Sequence, residues 1–480
     1  MIATLPVFSE VRSAALSPLA DVQDLSDDGR WDDGFGFELM EGGYYTSVHA
    51  IAVVENNVYV GGRFGRAGGV PASGIARWDG SSWSNVGGGL DNCQGALCFP
   101  TLYTLAAKGN DLYAGGNFAS IGGVPANRVA RWDGNKWSPV GAGIQICDPG
   151  YDCVTVTSMA VTATDVYAVG RIITDISRAG TATLDGLTKW NGNKWDILGG
   201  VSGAGPTLSL NTVQTTGTRT YVGGNFTLAG VIGAHNIASW DGNNWIAMGT
   251  GVQGCVDEGL WFGCATFVYT IATNGDDVYV GGNFTSAGNT PANFIARWDG
   301  HEWSALGEGA NGPVRKIAIY GNHIYVGGQF TSIGGVKANG IARFDGNNWS
   351  ALGSGVDGEV EAIAFKNNEV YVGGNFSKAG GKTAFNFARW IAPEVVPPPP
   401  VLPQIARVSI SHKKLIVTGE RFDLGAVILL NGERQKTQND EQNPTVTLIA
   451  RKSGKKAKDG DRIQVLNSDG KLSPEFIIAR

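Results

Sequence analysis

Apolar and polar positions alternate with a period of two along most of the chain, in short runs such as 314–319 (VRKIAI) and 360–365 (VEAIAF). Glycine, asparagine and aspartate punctuate these runs, as expected of strands joined by tight turns. No 3.6-residue periodicity competes with them, so the pattern predicts an all-β chain.

The strands recur as a unit. The segment HIYVGGQFTSIGGVKANGIARFDGNNWSALG (323–353) repeats along most of the sequence, and its aligned tyrosines are Tyr59, Tyr113, Tyr167, Tyr221, Tyr279, Tyr325 and Tyr371. Their spacings are 54, 54, 54, 58, 46 and 46 residues, close to the ~40–50 residues of a four-stranded propeller blade. Each unit reads as four strands: the alternating stretch before the tyrosine, the V-Y-V-G-G run, the I-A-R-W run, and a strand opened by a second tryptophan after a D-G turn. The third strand carries Trp78, Trp132, Trp190, Trp240, Trp298, Phe344 and Trp390. The fourth carries Trp83, Trp137, Trp195, Trp245, Trp303 and Trp349, each five residues on. The last unit lacks its fourth strand, because Val395 stands there in a proline-rich run, whereas D-G-R-W with Trp31 precedes the first unit. The expectation is a seven-bladed β-propeller of four-stranded blades, its ring closed by an N-terminal strand near Trp31. Closure of this kind removes two exposed sheet edges. The tryptophans are expected to pack between blades rather than to form a ring of ligand-binding aromatics.

These motifs resemble the kelch-like, galactose-oxidase-like propeller superfamily and related bacterial extracellular repeats over roughly residues 28–391. That resemblance implies a fold and leaves function open. Residues 392–403 (APEVVPPPPVLP) are expected to form an extended polyproline linker. Residues 404–480 alternate again, with turns at Asn431-Gly432 and Asp469-Gly470, and predict an immunoglobulin-like β-sandwich. The runs LIVTGERFDLGAVILLNG and IQVLNSDGKLS resemble the IPT/TIG family, whose modules mostly serve surface and extracellular recognition. Residues 1–27 remain as an N-terminal extension without the basic-then-apolar pattern of a leader.

Glycine supplies 72 of 480 residues without a collagen-like triplet. The net charge of −6 argues against nucleic acid as a partner, and no apolar run reaches the ~18 residues of a membrane span. Charge is unevenly spread, +5 over residues 401–480 and −11 over the rest. The basic cluster Arg451, Lys452, Lys455, Lys456 and Lys458 is expected on one hairpin.

Six cysteines form three close pairs, Cys93/Cys98, Cys147/Cys153 and Cys255/Cys264, each between a fourth strand and the next unit's first. Three loop-local disulfides are expected, and with them an oxidising, secreted or cell-surface location. Zinc is the rival reading, disfavoured by spacings of five, six and nine and by loops without histidine. The same loops hold the candidate binding residues: Trp261 and Phe262 with Asp257 and Glu258 in one, and Tyr151 with Asp148 and Asp152 in another. Exposed aromatics beside carboxylates suit a protein hot spot or sugar stacking. The long G-G-x-x-A-N segments are expected on the same face.

Catalysis has little support. The five histidines, His49, His235, His301, His323 and His412, show no metal-ligand spacing and none is read as falling at a repeated position. G-x-S-x-G and H-E-x-x-H are missing, and the D-G aspartates Asp79, Asp133, Asp241, Asp299 and Asp345 read as turn formers. N-x-S/T triplets occur at Asn225, Asn283, Asn348 and Asn375. No catalytic residue, metal or cofactor is assigned. The expected function is a non-enzymatic interaction protein whose loop face binds a protein partner in a surface assembly or adhesion system. A carbohydrate-binding propeller is the alternative, and a hydrolase or lyase acting in the channel is the weakest.

Overall fold

The alternating runs pair as the repeat predicts. The computed structural model describes residues 25–32, 34–35, 37–38, 46–92, 99–144, 155–171, 185–203, 208–216, 218–256, 264–392, 402–440, 443–467 and 471–478. Among these the secondary structure is β apart from 3-10 turns, and no helix is long and apolar enough to cross a membrane. The chain divides into two compact units, Met1–Ala392 and Pro393–Arg480.

The first unit contains seven four-stranded antiparallel arrays in which sequence order is spatial order, one of them extended by a small hairpin. The first array, Ser47–Val54, Asn57–Arg63, Ile75–Trp78 and Trp83–Asn85, is representative. The last is completed out of order: Trp31–Asp32 pairs with Phe387–Ile391, setting Trp31 opposite Trp390 and Asp32 opposite Arg389. Arg389 also bonds Glu369 at 2.7 Å and pairs with Asp32, so an ion cluster fastens the N-terminal strand. First strands pack on first strands throughout, and Glu359–Lys366 packs against Ser47–Val54, returning to the start.

Two devices set the spacing between arrays. At the rim, six fourth-strand tryptophans donate their indole N–H to a backbone carbonyl of the preceding array. Trp137 bonds Val86 O at 2.9 Å, Trp195 bonds Val140 O at 3.0 Å, Trp303 bonds Met248 O at 2.8 Å and Trp349 bonds Leu306 O at 3.3 Å. The N-terminal segment plays both parts, since Trp31 donates to Leu352 O at 2.9 Å and Phe35 O accepts from Trp83 at 2.8 Å. Near the axis the paired glycines remove bulk. A Cβ on Gly61 would lie 2.4 Å from Leu102 of the next array, and one on Gly373 would lie 2.3 Å from Val48.

Trp245 departs from the rule, its buried indole N–H having no acceptor among the described residues. The array before it is the extended one: its fourth strand runs on through Trp195–Ser202 and pairs with Leu228–Ala229, with a register shift beside Leu187 and Thr188. That redirects the backbone where the accepting carbonyl would otherwise stand.

The G-G-x-x-A-N segments are more ordered than long loops. Each begins as a two-plus-two hairpin, such as Arg66–Ala67 with Val70–Pro71, and several pair with the incoming connection. Phe37–Glu38, Leu90–Asn92 and Val252–Gln253 add to such hairpins, because the connection's backbone groups would otherwise be left unpaired.

The second unit has two four-stranded sheets. Gln404–Ser411, Lys414–Glu420, Thr447–Arg451 and Thr437–Asn439 form one; Glu433–Arg434, Val427–Leu430, Arg462–Leu466 and Phe476–Ile477 form the other. Leu415, Val417, Phe422, Ile428, Leu448, Ile463 and Val465 make their shared core. Asn431 and Gly432 both have positive φ, as a primed hairpin turn requires. The basic cluster is not on a hairpin. Residues 451–458 connect the two sheets through the short turn Ser453–Lys455, since Thr447–Arg451 and Arg462–Leu466 belong to different sheets.

The indole bridges can be tested directly. Trp137→Phe, which leaves Val86 O without its donor, is expected to cost about 1–3 kcal/mol more than Trp245→Phe, whose indole makes no such bond. Denaturant midpoints of the two variants measure the difference.

Candidate functional site: a ring of strand bulges

Each first strand breaks register with its partner once, always at the same place: between Val48 and Ala50, Leu102 and Thr104, Val156 and Ser158, Leu210 and Thr212, Val268 and Thr270, Val314 and Lys316, and Val360 and Ala362. The second glycine of the V-G-G run lies opposite. A Cβ on Gly62 would meet Ser47 O at 2.1 Å, so only glycine admits the bulged strand so closely. Bulges re-aim side chains, and here the bulged residues are His49, Tyr103, Thr157, Asn211, Tyr269, Arg315 and Glu361. All seven line one central cavity of about 130 Å³, together with their neighbours, among them Thr104, Ser158, Thr212, Thr270 and Lys316.

The framework repeats almost identically, yet this position carries seven side chains of six kinds, and the charged ones are organised. His49 Nδ1 lies 2.5 Å from one Glu361 oxygen and Ser47 Oγ donates to the other at 2.8 Å. Burial pushes the Glu361 carboxyl up. The hydrogen bond and charge of His49, the Ser47 hydroxyl and the more distant Arg315 outweigh it and hold the group below its ordinary value. Arg315 Nε donates to Glu359 at 2.5 Å, and its guanidinium lies 4.0 Å from the Tyr269 ring centre, which in turn stacks on Phe267. The His49 and Tyr103 rings lie 5.3 Å apart, and burial raises the Tyr103 phenol. Thr157 Oγ1 and Asn211 Nδ2 donate to Leu210 O and Val268 O of the following arrays, at 2.7 and 3.2 Å.

The sequence reading missed this ring. Its histidine assessment needs correction, because His49 does occupy a repeated position, ten residues before Tyr59; the other six ring residues precede their tyrosines by the same ten. Counting that offset would have found the ring. The position is marked by its variation, not by a repeated residue type.

The loop-face residues are only partly visible. Cys255 and Cys264 form a disulfide with Cα atoms 5.7 Å apart, within the usual range. Cys93, Cys98, Cys147, Cys153, Trp261, Phe262, Tyr151, Asp148, Asp152, Asp257 and Glu258 lie outside the described residues. Two asparagines of the N-x-S/T triplets brace the ends of the Cys255–Cys264 loop. Asn283, 1% exposed, exchanges hydrogen bonds with Val256 N and O at 3.1 and 2.9 Å, and Asn225 donates to Thr266 O at 2.6 Å. Asn283 is therefore a structural residue in the fold. The D-G aspartates close their turns as expected: Asp79 accepts from the Ser81 and Ser82 amides at 2.8 Å, and these bonds hold its carboxyl far below the ordinary range. Asp133, Asp241, Asp299 and Asp345 are lowered the same way. Among the described residues, no three His, Cys, Asp or Glu side chains are grouped to hold a metal ion.

A family model described as the Rax2 C-terminal beta propeller domain matches residues 304–390, which hold the repeat units ending in Trp349 and Trp390. The chain is a β-propeller protein in fold. Comparison with curated protein sequences finds no match. Among solved structures, an ancestral GH74 enzyme aligns over 90% of this chain and 73% of its own, at 12% identity and a TM-score of 0.25. An acylaminoacyl peptidase of Pyrococcus horikoshii aligns over 76% of this chain and 57% of its own, at 12% identity and a TM-score of 0.30. Likenesses this weak transfer no activity.

The His49–Glu361 pair gives the ring a pH signature. Because the folded carboxyl titrates below the ordinary value of 4.5, its stabilisation is present above that pH and is lost as pH falls through the lower folded value. Glu361→Gln is expected to flatten the fall in stability below pH 4.5 while lowering stability near neutrality. Urea midpoints measured from pH 3 to pH 7 test both.

Proposed function

We propose that the chain is a seven-bladed, kelch-like β-propeller followed by an immunoglobulin-like module of the IPT/TIG kind. It works outside the cell or at its surface as a non-enzymatic interaction scaffold. The observation behind this reading is the division between frame and connections. The seven arrays repeat with little change, while the connections from a fourth strand to the next first strand vary in length and are longest at the three cysteine-bearing places. The ends of the Cys255–Cys264 connection are cross-linked by that disulfide and tied by Asn283 and Asn225. A loop held this way loses little conformational freedom when it docks, which favours recognition. A disulfide of this kind persists in an oxidising compartment. Its nine-residue separation limits its effect mainly to the loop itself. The second unit, with the basic connection between its sheets, is read as a spacer or as a second contact to an acidic neighbour.

Cross-linking mass spectrometry on intact source cells, without reductant, tests the reading. The cysteine loops lack lysine but contain Asp91, Asp148, Asp152, Asp257 and Glu258, so carboxylate-reactive reagents are required. Links from residues 88–102, 143–155 or 250–267 to one protein are expected. If those loops link to no protein, while a glycan array shows binding that Trp261→Ala abolishes, the scaffold reading fails and the carbohydrate-binding one replaces it.

A further inference from the structure

The residue after each bulge has a structural task in several arrays. The Thr104 hydroxyl accepts the Met159 amide at 3.2 Å, Ser158 accepts that of Val213 at 3.2 Å, and Thr270 accepts that of Ile317 at 3.1 Å. Each bond joins one first strand to the next. Lys316 occupies this position in its own array and, having no lone pair when protonated, cannot accept such an amide. An alanine at the same place, as at Ala50 and Ala362, forgoes the bond without burying a charge. Lys316 forgoes it and brings an ammonium into the cavity. A residue that breaks the local rule with no structural gain marks a functional position.

Among the described residues the ammonium also makes no ion pair with a carboxylate. Glu359 is taken by Arg315, and both oxygens of Glu361 are engaged by His49 and Ser47. Among the described residues no hydrogen bond or ion pair engages the Lys316 side chain. Enclosure by the channel walls pulls its amine below the ordinary lysine value, with no opposing contribution from a nearby carboxylate. Lys316 is half-buried; a cation partly withdrawn from water without a partner is costly, and an anion in the same cavity would reduce that cost.

We propose that the central cavity binds a small carboxylate monoanion, with the Lys316 ammonium as its counter-ion. One free cation calls for one negative charge. The lining is mostly polar, and the hydroxyls of Thr104, Ser158, Thr212 and Thr270 beside Lys316 suit the hydrogen-bonding needs of a small carboxylate. At about 130 Å³ the cavity is several times a water's share of liquid volume, ~30 Å³, and far smaller than a sugar-chain cleft. The ring lies at the start of the first strands, where the fourth-to-first connections enter, and the proposal does not depend on the scaffold reading.

Calorimetric titration of the full chain with propionate, and with the uncharged propionamide, tests the proposal. Propionate is expected to bind saturably, one per chain, at millimolar or lower concentration, and propionamide is not. Lys316→Met is expected to weaken propionate by about 10- to 100-fold, the worth of a charge-assisted hydrogen bond. Lys337→Met, at an exposed position of a small hairpin, leaves binding unchanged. In the unsubstituted chain, with lysines carrying ¹³C-methyl groups, the Lys316 resonance should shift with propionate and saturate. Equal binding of acid and amide, non-saturating heat, or an unmoved Lys316 resonance would overturn the proposal.

Discussion

Successive arrays are held at a fixed angle by a contrast between rim and axis. At the rim six of the seven fourth-strand indoles span the gap and donate to a carbonyl of the array before, as Trp137 does to Val86. At the axis, Gly61 and its equivalents admit the neighbouring Leu or Val side chain to a distance no Cβ could tolerate. Bulk outside and none inside make each array a wedge. The N-terminal segment has to join because the last array ends at Ile391 without a fourth strand. Trp31 supplies the strand and donates to Leu352, and Phe35 accepts from Trp83, so one short stretch bonds to both neighbours.

The glycine next in sequence creates the candidate site. Gly62 lets the opposing strand close in and bulge, and the bulge turns one residue per array toward the axis. The ring is therefore a by-product of the packing rule, and its side chains vary without disturbing the frame. His49 with Glu361, and Arg315 with Glu359 and Tyr269, show that this freedom has been used to place compensated charges. Lys316 is the uncompensated one.

Much of the frame was legible in the sequence because it is written in residues with one plain role. The tryptophans five apart become directly opposed pairs, as Trp78 with Trp83, and Trp390 is opposed in the same way by the distant Trp31. The D-G aspartates become turn acceptors, and the tail's alternating runs become strands. The extended third array was not legible, since nothing local in Trp195–Ser202 announces that its strand will run on to pair with Leu228–Ala229. Nor was the sheet-to-sheet path of residues 451–458, because a basic turn reads alike in a hairpin and in a crossover. The bulge ring stayed hidden for a different reason: His49 and Glu361 meet only because the first and last arrays are neighbours, 312 residues apart in sequence.

Hydrogen exchange of the full chain against a chain starting at residue 39, which lacks Trp31, Asp32 and Phe35, tests the closure most directly. If the N-terminal strand completes the last array, amides of Phe387–Ile391, those around Leu352 and those around Trp83 lose protection together, while Thr220–Asn225, far from the seam in sequence, keeps its own. Unchanged protection on both sides of the seam would contradict the account.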